Sequence, residues 1–277
     1  MSFDNFSARA TAGALVPVWR DCLLDTDTPV SAFARLRQGP FAFLLESAPA
    51  GGETWSRYTF LGAEPRGAWR LTDGVVDDWT PERGWHGQRR PADPIEDLRG
   101  LVAAHQPADV PELGAFWGGA VGFFSYDMAR SIERLPNAPP RGVQAPAAGF
   151  AFTCTMVIAD NLRAQARVVH AVAIGTDTSP ATLRIAYDAA HREIDAVIAR
   201  LRNGPSLPPL DLDPNAAPAV GRSVYKREKF LKDVARIKEY IVAGDCFQAL
   251  LARRIVVPHD FDGTALWHLS TRPVKVG

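Results

Sequence analysis

The first two-thirds of the chain alternates short apolar segments with turn signals, and the last third carries longer helical patterns. Pro40–Ser47 is a near-continuous apolar run, the pattern of a strand buried on both faces. Beyond Gly51-Gly52, the segment Trp55–Gly62 alternates. Trp55, Arg57, Thr59 and Leu61 face one way, and Ser56, Tyr58 and Phe60 face the other. Gly67–Thr72 and Val75–Trp79 flank Asp73-Gly74, the strongest short hairpin signal in a sequence. Pro94–His105 reads as a short helix with Ile95, Leu98, Leu101 and Val102 on one face. Phe150, Phe152, Cys154, Met156 and Ile158 alternate cleanly, with Met156 and the phenylalanines read as sheet core; Arg167–Ile174 follows as a second strand after a turn at Asp160-Asn161.

Two helices are well marked. Leu183, Tyr187, Ala190, Ile194, Val197, Ile198 and Leu201 recur mostly at spacings of three and four until Asn203-Gly204-Pro205 stops them. Ser223 is placed to cap a helix bearing Phe230, Val234, Ile237, Tyr240 and Ile241, closed by Gly244. Lys226, Arg227, Lys229 and Lys232 near its start read as a solvated face. Phe247–Val257 then reads as a strand, and Asp260–Gly263 as a turn before a new helix capped by Thr264. Between the two marked helices, 206–221 is Pro/Ala/Asp-rich without periodicity, hence a linker. The fold class expected is α+β, with mixed or antiparallel sheets and flanking helices. The expected division is 1–205, a linker at 206–221, and 222–277 as the start of a second domain.

Charge narrows the partners. Thirty-one Lys+Arg against 31 Asp+Glu leaves no basic excess to neutralise phosphates, so neither nucleic acid nor an anionic membrane is expected. Cys22, Cys154 and Cys246 are odd in number and far apart, which excludes a disulfide framework and suits a reduced, cytoplasmic protein. The N-terminal residues lack a signal-peptide pattern, and no apolar stretch approaches a spanning helix. The six histidines are isolated from one another in sequence, so surface or core positions are expected for them over a metal cluster. Gly114–Gly122 is glycine-rich but lacks phosphate-loop spacing, so its glycines are read as permitting close strand packing or bulges.

Longer phrases say more. Leu44–Ala48, Trp55–Gly62, Gly118–Pro136 and Val234–Arg253 together resemble the large subunit, component I, of anthranilate synthase, in the family's order and approximate spacing. The resemblance runs from about Pro17 to about Leu269, and the Gly118–Pro136 phrase favours this family over its sister, component I of aminodeoxychorismate synthase. It implies the N-terminal part of a chain about twice as long. The C-terminal half of that chain holds the magnesium-binding glutamates and the chorismate site. The expectation is therefore an incomplete component I, inactive alone, with Mg2+ a cofactor of the full-length family and none bound by this chain. A non-catalytic regulatory or interaction module is the alternative.

The resemblance further implies a glutamine amidotransferase partner, component II, that supplies ammonia to chorismate; anthranilate and pyruvate leave. It places Leu45, Glu46 and Ser47 in the phrase where tryptophan binds for feedback inhibition. A carboxylate and a hydroxyl at a strand end hold an amino acid's ammonium by charge-assisted bonds, each worth roughly 1.5–3 kcal/mol. Arg57 is the expected competitor for Glu46 if their strands are adjacent. Gln248 stands where the water-adding relatives have a lysine. It either contributes to the active-site wall, where glutamine serves no general base, or hydrogen-bonds only within the sheet.

Overall fold

A computed structural model describes residues 1–46, 57–114, 116–138, 144–205, 220–259 and 263. The chain divides into two units, Met1–Leu207 and Pro208–Gly277. The first is an α+β unit built on two sheets. Its helices are α1 (Phe3–Arg9), α2 (Pro29–Leu36), α3 (Pro94–Ala103) and α4 (Pro180–Asn203). Its strands are β1 (Ala14–Leu23), β2 (Phe43–Glu46), β3 (Tyr58–Ala63), β4 (Gly67–Thr72), β5 (Val75–Thr80), β6 (Gly84–Arg89), β7 (Gln106–Pro107), β8 (Ala120–Phe124), β9 (Ala148–Phe152), β10 (Thr155–Asp160) and β11 (Gln165–Ala173). One sheet has six strands in the order β2-β3-β10-β11-β1-β7, the other five in the order β6-β5-β4-β9-β8. All pairings are antiparallel except the short parallel contact of β7 with β1.

The six-stranded sheet is covered on both faces. Val16, Val18, Leu61, Val157 and Val168 pack with Phe6, Leu36, Ile194 and Val197 of α1, α2 and α4. Leu15, Ile158, Val169 and Ala171 face the other way, onto Val110, Leu113 and Trp117. Central strands buried on both sides need apolar residues at successive positions, and β10 is buried from Met156 through Ala159. Helix α4 starts where Ser179 accepts the Thr182 N–H and Pro180 fills the first turn, and it ends at Gly204.

Local signals were realised closely. Asp73 and Gly74 both take positive φ (54° and 74°), the backbone of a two-residue hairpin turn between β4 and β5. A Cβ on Gly122 would come within 1.9 Å of the Gly149 carbonyl oxygen, so close approach of β8 and β9 excludes any side chain there.

Four expectations are corrected. The Pro40–Ser47 run is not a strand buried on both faces. Among its described residues only Phe43–Glu46 is a strand, it lies at the sheet edge, and Leu45 is 43% exposed. Phe41 takes a left-handed φ of 67° and packs edge-on against Trp79 and Trp85, so its apolar character is spent away from the strand. The alternating Phe150–Ile158 stretch is two strands in different sheets, broken at Thr153-Cys154, where the Thr153 hydroxyl bonds the Gly119 N–H and carbonyl. Alternation continues across the break because both halves are extended.

In the second unit, α5 (Arg227–Ala243) ends at Gly244 in the left-handed conformation. Lys226, not Ser223, is its N-cap; the Ser223 hydroxyl accepts the Tyr225 N–H in a turn before the helix. Fourth, Phe247–Val257 forms no strand. Its one described ladder contact is a bridge between Val256 and Arg222, and a ladder needs a partner along its length. The linker expected at 206–221 falls almost wholly outside the described residues, as does the turn and helix expected from Asp260.

Candidate functional site

The candidate site begins at the edge strand β2. Leu45 lies opposite Phe60 and Glu46 opposite Thr59 on β3. Successive strand residues point to opposite faces, so Leu45 shares the face of Phe60 and Ile158. Glu46 shares the other face with Leu44, which packs toward the helices, and with the fully buried Thr59. The Thr59 hydroxyl accepts a bond from Asn161 Nδ2 at 3.0 Å, which anchors the turn after β10 beneath this corner. Ser47 lies outside the described residues.

Phe60, the partner of Leu45, forms part of the wall of a cavity of about 530 Å3 shared with Ile158, Phe116, Arg57 and Arg167. Phe60 and Phe116 meet edge-to-face, ring centres 5.2 Å apart. The Arg57 guanidinium grips Asp160, Nε at 3.0 and 3.1 Å and Nη2 at 2.5 Å, and it lies over the Tyr58 ring. The Arg57 hydrogen bonds hold the Asp160 carboxyl below the usual carboxylate range, against the effect of burial. Asp160 also accepts the N–H groups of Leu162 and Arg163. Across the cavity, Arg167 binds both Asp21 carboxylate oxygens at 2.5 and 3.1 Å. The wall thus mixes aromatic and aliphatic side chains with charged ones, and Arg57 and Arg167 are each fixed by a carboxylate.

Sequence reasoning missed the Arg57–Asp160 pair. Asp160 carries a turn signature with Asn161, and nothing in a single chain segment says that β3 and β10 are neighbours. Gln248, the other candidate, is exposed in an irregular segment of the second unit. Among the described residues, no three His, Cys, Asp or Glu side chains are grouped so as to hold a metal ion.

Comparison with known proteins gives this geometry a context. A family model described as chorismate binding enzyme matches residues 50–273. The chain is 35% identical to anthranilate synthase component 1 of Acinetobacter calcoaceticus, over 98% of its own length and 54% of the relative's. It is 30% identical to the protein of that name from Acetivibrio thermocellus, over 92% and 51% of the two lengths. The crystal structure of anthranilate synthase component I from Streptococcus pneumoniae TIGR4 superposes with a TM-score of 0.55 at 22% identity, covering 90% of this chain and 51% of that one. It shows the fold. The chain spans about half the length of the curated relatives it matches.

Proposed function

This chain belongs to the chorismate binding enzyme family, and on that premise we propose that it serves as the effector-binding half of an anthranilate synthase component I. The observation that supports this reading is similarity along nearly the whole chain to relatives named for that activity, which favours it over the aminodeoxychorismate branch. In the complete enzyme, chorismate and ammonia give anthranilate and pyruvate, the first committed chemistry toward tryptophan. A glutamine amidotransferase subunit delivers the ammonia. Magnesium, when bound, neutralises the carboxylates of chorismate and activates its leaving hydroxyl. By the family resemblance, the magnesium-binding glutamates lie in the half of the relatives that this chain does not match.

The residues of this chain act on the effector. Tryptophan lies along the outer edge of β2, where Glu46 accepts hydrogen bonds from its ammonium and Leu45, on the opposite face, contributes apolar contact. Ser47 adds a hydroxyl at the strand end. Gln248 contributes a hydrogen bond to the wall of the chorismate site without acting as a base, which suits a nucleophile that arrives as ammonia. One wall binds the charged end of tryptophan but leaves much of the indole in water. At ~25 cal/mol per Å2, an aromatic ring with ~150 Å2 or more to bury then loses several kcal/mol.

The test has two arms. Given chorismate, ammonium and Mg2+, the chain alone is expected to form no anthranilate above a protein-free control. Calorimetry should show tryptophan binding only on the order of millimolar, and Glu46→Gln should remove it. Turnover like that of an intact enzyme would overturn the assignment of the chain as an effector half. Tryptophan binding indifferent to Glu46→Gln would overturn the effector site.

A further inference from the structure

The chain passes between the two sheets through Glu64-Pro65-Arg66, from β3 to β4, and again through Thr153-Cys154, from β9 to β10. The crossings are tied together. The Arg66 N–H donates to the Phe152 carbonyl at 3.0 Å, and Arg66 Nη1 donates to the Thr153 carbonyl at 3.3 Å. That long bond and the Phe152 ring, 5.8 Å away, are the described contacts of a guanidinium with five N–H donors. Arg57, Arg70, Arg89 and Arg167 each hold an aspartate; among the described residues no carboxylate pairs with Arg66. Arg66 is half-buried, and burial pushes its pKa down, the sign of a cation short of compensation.

Arg66 lines two cavities, of about 610 Å3 and about 230 Å3. The larger lies between α4 and the ends of β3, β10 and β11. There α4 presents Ala186, Ala189 and Ala190, whose methyl groups leave space above Val157 and Val172. His170 forms part of the inner wall, its Nδ1 2.7 Å from the Thr155 hydroxyl and its Nε2 3.8 Å from Cys154 Sγ. Burial raises the Cys154 thiol and lowers the His170 imidazole, so both are neutral there at pH 7. Glu64 is engaged by Arg200, and Glu193 stands exposed on α4 at the cavity's rim. In the smaller cavity His105 Nδ1 is buried without a partner among the described residues.

We propose that Arg66 anchors a binding site for a short-chain monocarboxylate, its head group on the guanidinium at the sheet junction and its tail in the alanine-lined cavity under α4. A carboxylate matches the two-pronged donor geometry of arginine and supplies the missing counter-charge. The larger cavity has the size of a small-molecule site, with apolar walls and few polar groups. This site is separate from β2 and does not depend on the effector reading.

The probe is hexanoate, titrated into the full chain by calorimetry. Saturable binding is expected with hexanoate and none with hexanamide or hexylammonium. Arg66→Gln should weaken binding at least tenfold. Ala189→Leu, which fills the tail space and leaves Arg66 in place, should do the same, and it keeps the test independent should Arg66→Gln impair folding. Binding unaffected by Ala189→Leu, a stronger response to hexylammonium, or no saturable binding of hexanoate would overturn the proposal.

Discussion

Helices α4 and α5 carry the same kind of amphipathic pattern and meet different fates. Over its 24 residues α4 buries Leu183, Ala190, Ile194, Val197, Ile198 and Leu201 against the six-stranded sheet and its companion helices. Over its 17 residues α5 buries none, and Leu231, Tyr240, Ile241 and Val242 are exposed. What shapes α5 is local: Lys229 bonds Asp233, Arg236 bonds the Tyr240 hydroxyl, and Gly244 closes the last turn. The hydroxyl of Tyr225, bonded to Asp233, has its pKa pushed up to about 12. A repeat of three and four therefore specifies a helix, and only a facing surface turns its stripe into a core. The two units should accordingly differ in what a single side chain is worth.

The sharpest break of the comparison is a matched pair of truncations. Ile194, fully buried on α4, leaves a cavity when cut to alanine, so Ile194→Ala should cost about 2–5 kcal/mol in denaturant unfolding. Ile237→Ala on α5 should stay within about 0.5 kcal/mol. Equal losses would show that the α5 stripe is packed in solution.

Next in size is a buried polar anchor of the first unit. Asp97 on α3 accepts the indole N–H of fully buried Trp69 at 2.8 Å and two Arg89 bonds at 2.9 and 2.6 Å. Asp97→Ala orphans that indole and should cost about 1–3 kcal/mol. Arg89, then Trp69, holds the folded carboxyl below its usual range in spite of burial. A lowered folded pKa contributes stability that is complete above the unfolded value near 3.9 and lost as pH falls through the folded one. Thermal unfolding followed from pH 5 downward should therefore fall less steeply in Asp97→Ala than in the parent. The smallest effect is expected at Gly244, whose φ of 87° strains any side chain: Gly244→Ala should cost about 1 kcal/mol of α5 helicity by circular dichroism and leave the first unit's transition unmoved.

Elements held together by near neighbours were legible in the chain. The Asp73-Gly74 hairpin, the body of α3, the whole of α4 with its Gly204 stop, and the Gly244 end of α5 each follow from residues within a turn of one another. The candidate site was legible only as the phrase Leu45-Glu46-Ser47. The near-continuous apolar run it closes was read as a strand buried on both faces and did not say that β2 is an edge.

Tertiary structure decided the rest. It separated Phe150–Phe152 from Met156–Ile158 into different sheets, although one unbroken alternation runs through both. It joined Arg57 to Asp160 across 103 residues, and it left Arg66 at the sheet junction without a carboxylate among the described residues. The reason is physical. Caps, turns and helical repeats are selected by dihedral preferences and hydrogen bonds within a few residues, which the order of side chains states directly. Strand partners, sheet edges and ion pairs are chosen by which surfaces bury each other once the chain has closed, and a period of two is the same on either side of that choice.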